Sequence, residues 1–214
     1  MPADHQKTRA NYDRLSRWYD LFSGSSERTV RRRGLQMLAV KPGECVLEIG
    51  CGTGESLPAL AFCVGRIGQV IGIDLSSGML SMAKSKLMRF ASSNVTLVQG
   101  DSFQLPFVDG TFDAVFMSFT LELFAIAEIP VVLYECKRIL RSAGRMGIVS
   151  LLKRERPRVI EKLYTRAHLL WPTVIDCQPI PLFNVLRKSG LTACEADERS
   201  MWGLTIGLAI AHSS

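Results

Sequence analysis

The stretch VLEIGCGTGES, Val46 to Ser56, places three glycines, Gly50, Gly52 and Gly54, between an apolar run and a segment able to open a helix. Backbone without side chains lets a ligand approach the main chain, and a helix start just beyond supplies unpaired N–H donors. A carboxylate, Glu48, stands two residues before the first glycine. A tight turn with positive φ accounts for one such glycine. Three in alternation, between a strand and a helix, predict a nucleotide-type site in the first βα unit of an open sheet.

Outward from this loop, short β-rich runs alternate with helical patterns. CVLEI leads into the loop, and ESLPALAFCV opens a helix that tolerates Pro58 in its first turn. QVIGID, VTLVQGD, FDAVFMSFTL and MGIVSLL read as four further strands. Between them, SSGMLSMAKSKLMRFA has a helical period behind a Ser cap, and EIPVVLYECKRIL reads as a helix closing at RSAGR. PLFNVLRKSG is a helix with a stop at Gly190, and TACEADER with LTIGLAIA forms a strand pair. Strand and helix in alternation predict right-handed crossovers. The fold class is therefore α/β, a Rossmann-like, doubly wound, mostly parallel seven-stranded sheet with an antiparallel C-terminal edge.

The 214 residues, 47% of them hydrophobic, suffice for one core and a single domain. The six cysteines form no CxxC pair and no zinc-type spacing with histidine, and several lie in runs that read as strands, so they are expected to be buried thiols in a reducing cytosol with no metal. The start, MPADHQKTRANYDR, is polar, and the longest apolar candidate, Ala114 to Cys136, is broken by Glu122 and Glu128, which predicts a cytoplasmic protein. The net charge of +6 is concentrated in ERTVRRR and KRERPR. Such runs are ordinarily solvated faces, and an anionic membrane surface is the partner that would use them at the periphery.

Two ligand classes compete for the glycine loop. The dinucleotide pattern G-x-G-x-x-G requires glycine where Glu55 stands, and an acid at a helix N-terminus repels pyrophosphate. The pattern present is E-x-G-x-G-x-G, which suits a cofactor without phosphates. Asp74, at the end of the second strand and twenty residues past Gly54, can accept from both hydroxyls of a ribose. It is expected to anchor a ligand while contributing little to the fold. Asp101 can accept from an exocyclic amine, the Ser102 backbone N–H can donate to the same ring, and Leu75, Met79 and Phe103 offer apolar walls.

With these residues in place, the chain resembles the class I S-adenosylmethionine-dependent methyltransferases: VLEIGCGTG, VIGIDLSSGML, VQGDSFQLPF and FDAVFMSFTLELF occur in that family's order, over roughly residues 45 to 150. The resemblance implies S-adenosyl-L-methionine as cofactor. Its methionine part would lie against Glu48, Gly50, Cys51, Gly52 and Gly54, with Ser118 beside them, its ribose on Asp74, and its adenine at Asp101, Ser102, Phe103, Leu75 and Met79. Outside this core, YDRLSRWYDLFSG, ECKRILRSAGRMGIVSLLK and RKSGL resemble the ubiquinone/menaquinone C-methyltransferase group, with Ser142-Ala143 where that group usually has Pro-Gly. Phospholipid N-methyltransferases and small-molecule enzymes are similar too.

The resemblance further implies residues 1–40 as a helical cap over the site, with Tyr12 or Tyr19 near the methionine end, and residues 41–214 as the methyltransferase domain; the segment 153–182, which holds an aromatic- and proline-rich run unlike the sheet before the tail helix, is the expected acceptor lid. His168, with Tyr19, is the candidate for a catalytic role. MSFT, Met117 to Thr120, replaces the Asn/Asp-Pro-Pro-aromatic motif of enzymes that methylate base amines, which disfavours nucleic acid. Met117, Phe119 and Leu121 then suggest a small apolar or amphiphilic acceptor, quinone-like or lipid-like. A cofactor-binding module without turnover and an NAD(P) oxidoreductase are the readings from other classes. The sequence carries no signal for an oligomeric state.

Overall fold

A computed structural model describes residues 25–90, 93–170 and 177–213. Helix α1 (Ser25–Leu38) precedes β1 (Cys45–Ile49), α2 (Leu57–Val64), β2 (Gln69–Asp74), α3 (Ser77–Arg89) and β3 (Val95–Gln99). Strand β4 (Phe112–Ser118), a 3-10 turn (Leu121–Leu123), α4 (Ile129–Ile139) and β5 (Leu140–Leu151) follow. The chain continues through α5 (Val159–Leu170), α6 (Leu182–Lys188), β6 (Leu191–Met201) and β7 (Leu204–Ser213).

The seven strands form one sheet in the order β3-β2-β1-β4-β5-β7-β6. β1 to β5 pair in parallel, and β7 lies antiparallel between β5 and β6. The chain winds outward from β1 to β3 and then returns to β4 on the other side of β1, which creates a switch point at the carboxyl ends of β1 and β4.

Both faces are covered. Ala114 and Phe116 of β4 pack with Val30 and Leu38 of α1 and Leu57 and Leu60 of α2. Val115 and Met117, of opposite parity, pack with Val132, Leu133 and Cys136 of α4 and Leu182 and Leu186 of α6. This two-sided burial explains why β4 reads as a continuous apolar run. The Ser cap is as expected, with the Ser76 side chain accepting from the Met79 N–H.

Two boundaries differ from the sequence reading. β4 stops at Ser118, and Phe119 takes φ +56°. There the Thr120 hydroxyl donates to the carbonyl of Ile49 (3.1 Å), or alternatively to that of Ser118 (3.2 Å), so the chain folds back beneath the glycine loop. α4 closes at Ile139, just before RSAGR as expected, but β5 begins at Leu140 rather than at Met146 and takes RSAGR into the strand. Its register against β4 jumps between Phe112↔Leu140 and Ala114↔Arg145, and residues 141–144 are accommodated as an irregularity. The cysteines also depart in part. All six are free, but only Cys45 and Cys194 lie in strands, and Cys63 is exposed on α2.

The connection that carries Asp101 to Phe103 is held by α4. Glu135 accepts from the Leu105 N–H (2.8 Å), and Arg138 donates to the carbonyls of Leu105 (3.0 Å) and Phe107 (2.7 Å) and to Asp109 (2.7 Å). Arg138 also pairs with Glu135 at 2.8 Å, and this pairing holds the Glu135 carboxyl below its ordinary range. Removing the guanidinium strands two carbonyls and a carboxylate. Arg138→Ala is therefore expected to cost about 2–4 kcal/mol in urea denaturation, whereas a loss below about 0.5 kcal/mol would show that the connection holds itself.

Candidate functional site

The carboxyl ends of β1, β2 and β4 open into a cavity of about 370 Å³. Its floor is the glycine loop. Gly50, Gly52 and Gly54 all take left-handed φ, 64°, 52° and 79°, so backbone conformation favours glycine at each of the three positions and not only at one. Their surroundings separate them. A Cβ on Gly50 would strike the Thr120 side chain at 2.4 Å, which ties the loop to the end of β4. One on Gly52 would meet nothing within 4 Å, because that position faces the cavity. Gly54 packs against Ala83 of α3 and does not line the cavity.

Asp74 fixes the loop. One oxygen accepts from the Gly52 N–H (2.8 Å) and the other from the Ser76 N–H (2.9 Å), so the carboxylate bridges the turns after β1 and β2. The expectation that Asp74 contributes little to the fold is therefore corrected. The bridge does not withdraw Asp74 from the cavity, whose wall it lines. Asp101 similarly accepts from the Phe103 N–H (2.9 Å) and closes its own turn while lining the cavity. Leu75, Met79, Ser102, Phe103, Cys51 and Ser118 line the same space.

Glu48 is buried at the inner end of the cavity. Burial pushes its carboxyl up to about 7, reinforced by the carboxylates of Asp74 and Glu55 and opposed by the Ser56 hydroxyl and the Arg31 guanidinium. Glu48 Oε2 and Ser56 Oγ are both buried without a hydrogen-bond partner. The Cys51 thiol is pushed well up by burial and by the charges of Glu48 and Asp74, and stays neutral.

Arg31 belongs to the cationic run that the sequence presents as a solvated face. Its neighbours Arg28 and Arg32 are exposed, but Arg31 points inward from α1 and lines the cavity. It donates through Nε to Ser118 Oγ (3.3 Å), pairs with Glu27, and lies 5.9 Å from the centre of the Phe119 ring. Its Nη1 is buried without a partner. Helical spacing places Arg31 beside the buried stripe of Val30, Gly34, Met37 and Leu38 on α1, but it does not mark a cavity there.

Other sequence candidates fall elsewhere. Tyr12 and Tyr19 lie outside the described residues. His168 sits on α5 and does not line the cavity. Met117 and Leu121 are wholly buried in the core, and of the suggested acceptor residues only Phe119 reaches the cavity. Leu123 and Phe124, in and after the 3-10 turn, complete the apolar wall that the sequence did not reveal. Glu55, which occupies the third glycine position of a dinucleotide loop, is paired with Lys86 of α3.

The donor set fits an amino-acid-bearing nucleoside. Glu48 and Arg31, which carry a buried unpartnered carboxylate oxygen and guanidinium nitrogen, line one cavity, as an ammonium and a carboxylate on one carbon would require, and the open position over Gly52 leaves room for them.

Residues 46–144 match the Methyltransferase domain family. The chain is 36% identical over 139 residues to a demethylmenaquinone methyltransferase of Staphylococcus carnosus, spanning 65% of this chain and 55% of that protein. It is 31% identical over 179 residues to one of Bacillus cereus, spanning 82% and 71% respectively. Magnesium protoporphyrin IX methyltransferase from Synechocystis, solved with bound SAH, shares the fold with a TM-score of 0.76 at 17% identity, over 98% of this chain and 99% of that one. The glycine loop, the sheet order and these relatives agree: the chain belongs to the class I S-adenosylmethionine-dependent methyltransferases, and its cofactor is S-adenosyl-L-methionine.

Proposed function

We propose that this enzyme methylates a small apolar or amphiphilic acceptor of the quinone-like class. The observation that carries the proposal is the cavity wall beyond the glycine loop, where Phe119, Leu123 and Phe124 present apolar surface and Glu27 and Arg31 supply a polar edge. Similarity to demethylmenaquinone methyltransferases supports it.

When bound, the cofactor supplies an electrophilic methyl group on a sulfonium, so the protein's task is alignment and exclusion of water. Glu48 and Arg31 would hold the ammonium and carboxylate of its methionine end, the Glu48 carboxyl giving up its proton as the ammonium arrives. Asp74 would accept from the ribose, and Asp101 and the Ser102 N–H would take the adenine edge between Leu75, Met79 and Phe103. Residues 1–40 would cap this arrangement through α1. The segment 153–182 would serve as a lid, supported by Gln178, which donates through its backbone N–H to Glu122 O (3.2 Å) and through Nε2 to Phe124 O (2.7 Å) beside the cavity.

Asp74→Ala separates the two duties of that carboxylate. Loss of its two backbone bonds should lower the apo stability by about 1–3 kcal/mol, and loss of the ribose contact should weaken S-adenosylhomocysteine binding by about tenfold or more. Lower stability with unchanged affinity would remove Asp74 from the ribose.

The acceptor class is tested by incubating the enzyme and methyl-labelled cofactor with cell extract. Label is expected in the organic-soluble fraction. Label in RNA or protein, with none in that fraction, would overturn the proposal.

A further inference from the structure

Helix α5 is amphipathic with its apolar face turned outward. Val159 is 75% exposed and Leu163 and Leu170 are each 62% exposed, and positions i, i+4 and i+11 share one stripe, which Ile160 widens. The opposite face is the one anchored to the protein. Glu161 is buried and accepts from the Thr205 hydroxyl (2.7 Å), and the Tyr164 hydroxyl donates to Cys177 O (3.0 Å).

The turn joining β6 to β7 extends this surface. A Cβ on Gly203 would come within 3.2 Å of Ile160, so the turn abuts α5, and beside it Trp202 stands 57% exposed. Trp202 holds φ +52°, a conformation that costs a non-glycine residue energy and that keeps a large aromatic at the tip where Asn or Gly would be unstrained. Cations flank the stripe: Lys162 and Arg166 on α5, and Arg154, Arg156 and Arg158 just before it. None of these five is in an ion pair among the described residues.

We propose that the outer face of α5, with Trp202, docks on an anionic lipid surface. Exposed aliphatic side chains in the plane of a helix, bordered by arginine and lysine and joined by an interfacial tryptophan, match the chemistry of a lipid headgroup layer over its acyl boundary. Charge complementarity selects the lipid over a second copy of this chain, which would bring its own cations against these. Position agrees. Leu151 at the carboxyl end of β5 pairs with Ile206 near the start of β7, so the Trp202 turn and α5 lie at the same edge of the sheet as the mouth of the cavity. The docking face does not depend on which acceptor is methylated.

The test is co-flotation of the full chain with vesicles of phosphatidylcholine alone or with about one third phosphatidylglycerol. Binding to the anionic vesicles is expected to be at least about tenfold tighter than to neutral ones and to weaken at 0.5 M salt. Leu163→Asp with Leu170→Asp should reduce it by about tenfold or more, while the melting temperature and the affinity for S-adenosylhomocysteine stay unchanged. Three outcomes would overturn the proposal: no binding to anionic vesicles, equal binding by the double variant, or a concentration-dependent dimer that the double variant abolishes.

Discussion

The site exists because β1 lies at the centre of the five parallel strands, from which the chain leaves in one direction and returns in the other. That order sets the carboxyl ends of β1, β2 and β4 side by side and leaves a crevice between the crossovers. Everything placed at those ends converges: the glycine loop after β1, Asp74 after β2, and the Ser118 to Thr120 turn after β4. The contacts among them are short-range and specific. Asp74 bridges Gly52 and Ser76, and Thr120 reaches back to the carbonyl of Ile49. These bonds lie within the protein and fix the loop in the conformation that lines the cavity.

Within this frame the cavity carries a cost. Burying Glu48 raises its carboxyl to about 7, which means that the folded protein resists ionising it. Arg31 lies close enough to favour the charged form but does not neutralise it, since its Nη2 goes to Glu27 and its Nε to Ser118. The proposed hold on the cofactor's zwitterionic end would use this buried, unpartnered carboxylate oxygen of Glu48 and guanidinium nitrogen of Arg31. The same groups would be pointless expenditure in a chain whose only task was to fold.

Much of this was legible in the sequence because it is local. Strand period, the glycine alternation and the Ser76 cap are read within a few residues, Glu48, Asp74 and Asp101 each stand at or beside a strand's carboxyl end, and all three carboxylates line the cavity. What depends on long-range packing was not. The inward turn of Arg31 depends on α1 crossing β4 and β5, with Gly34 so close to Val149 that a Cβ there would lie at 2.4 Å. Likewise the strand-like spelling FDAVFMSFTL hides the break at Phe119, because the bond that turns the chain comes from Thr120 to a residue 71 positions away. The structural duty of Asp74 was missed for a related reason. Its partners are backbone N–H groups, which every residue carries and no sequence pattern marks.

The claim that Glu48 receives the cofactor's ammonium is tested most directly by proton release. Calorimetric titration with S-adenosylhomocysteine in buffers of different ionisation enthalpy gives the number of protons exchanged. With a carboxyl at about 7 in the free protein, roughly half of the Glu48 side chains are protonated at pH 7, and an arriving ammonium drives that proton off. Release of about half a proton is expected at pH 7, more at pH 6, almost none at pH 8.5, and none at any of these in Glu48→Gln. Binding without proton release at pH 6 and 7 would contradict it.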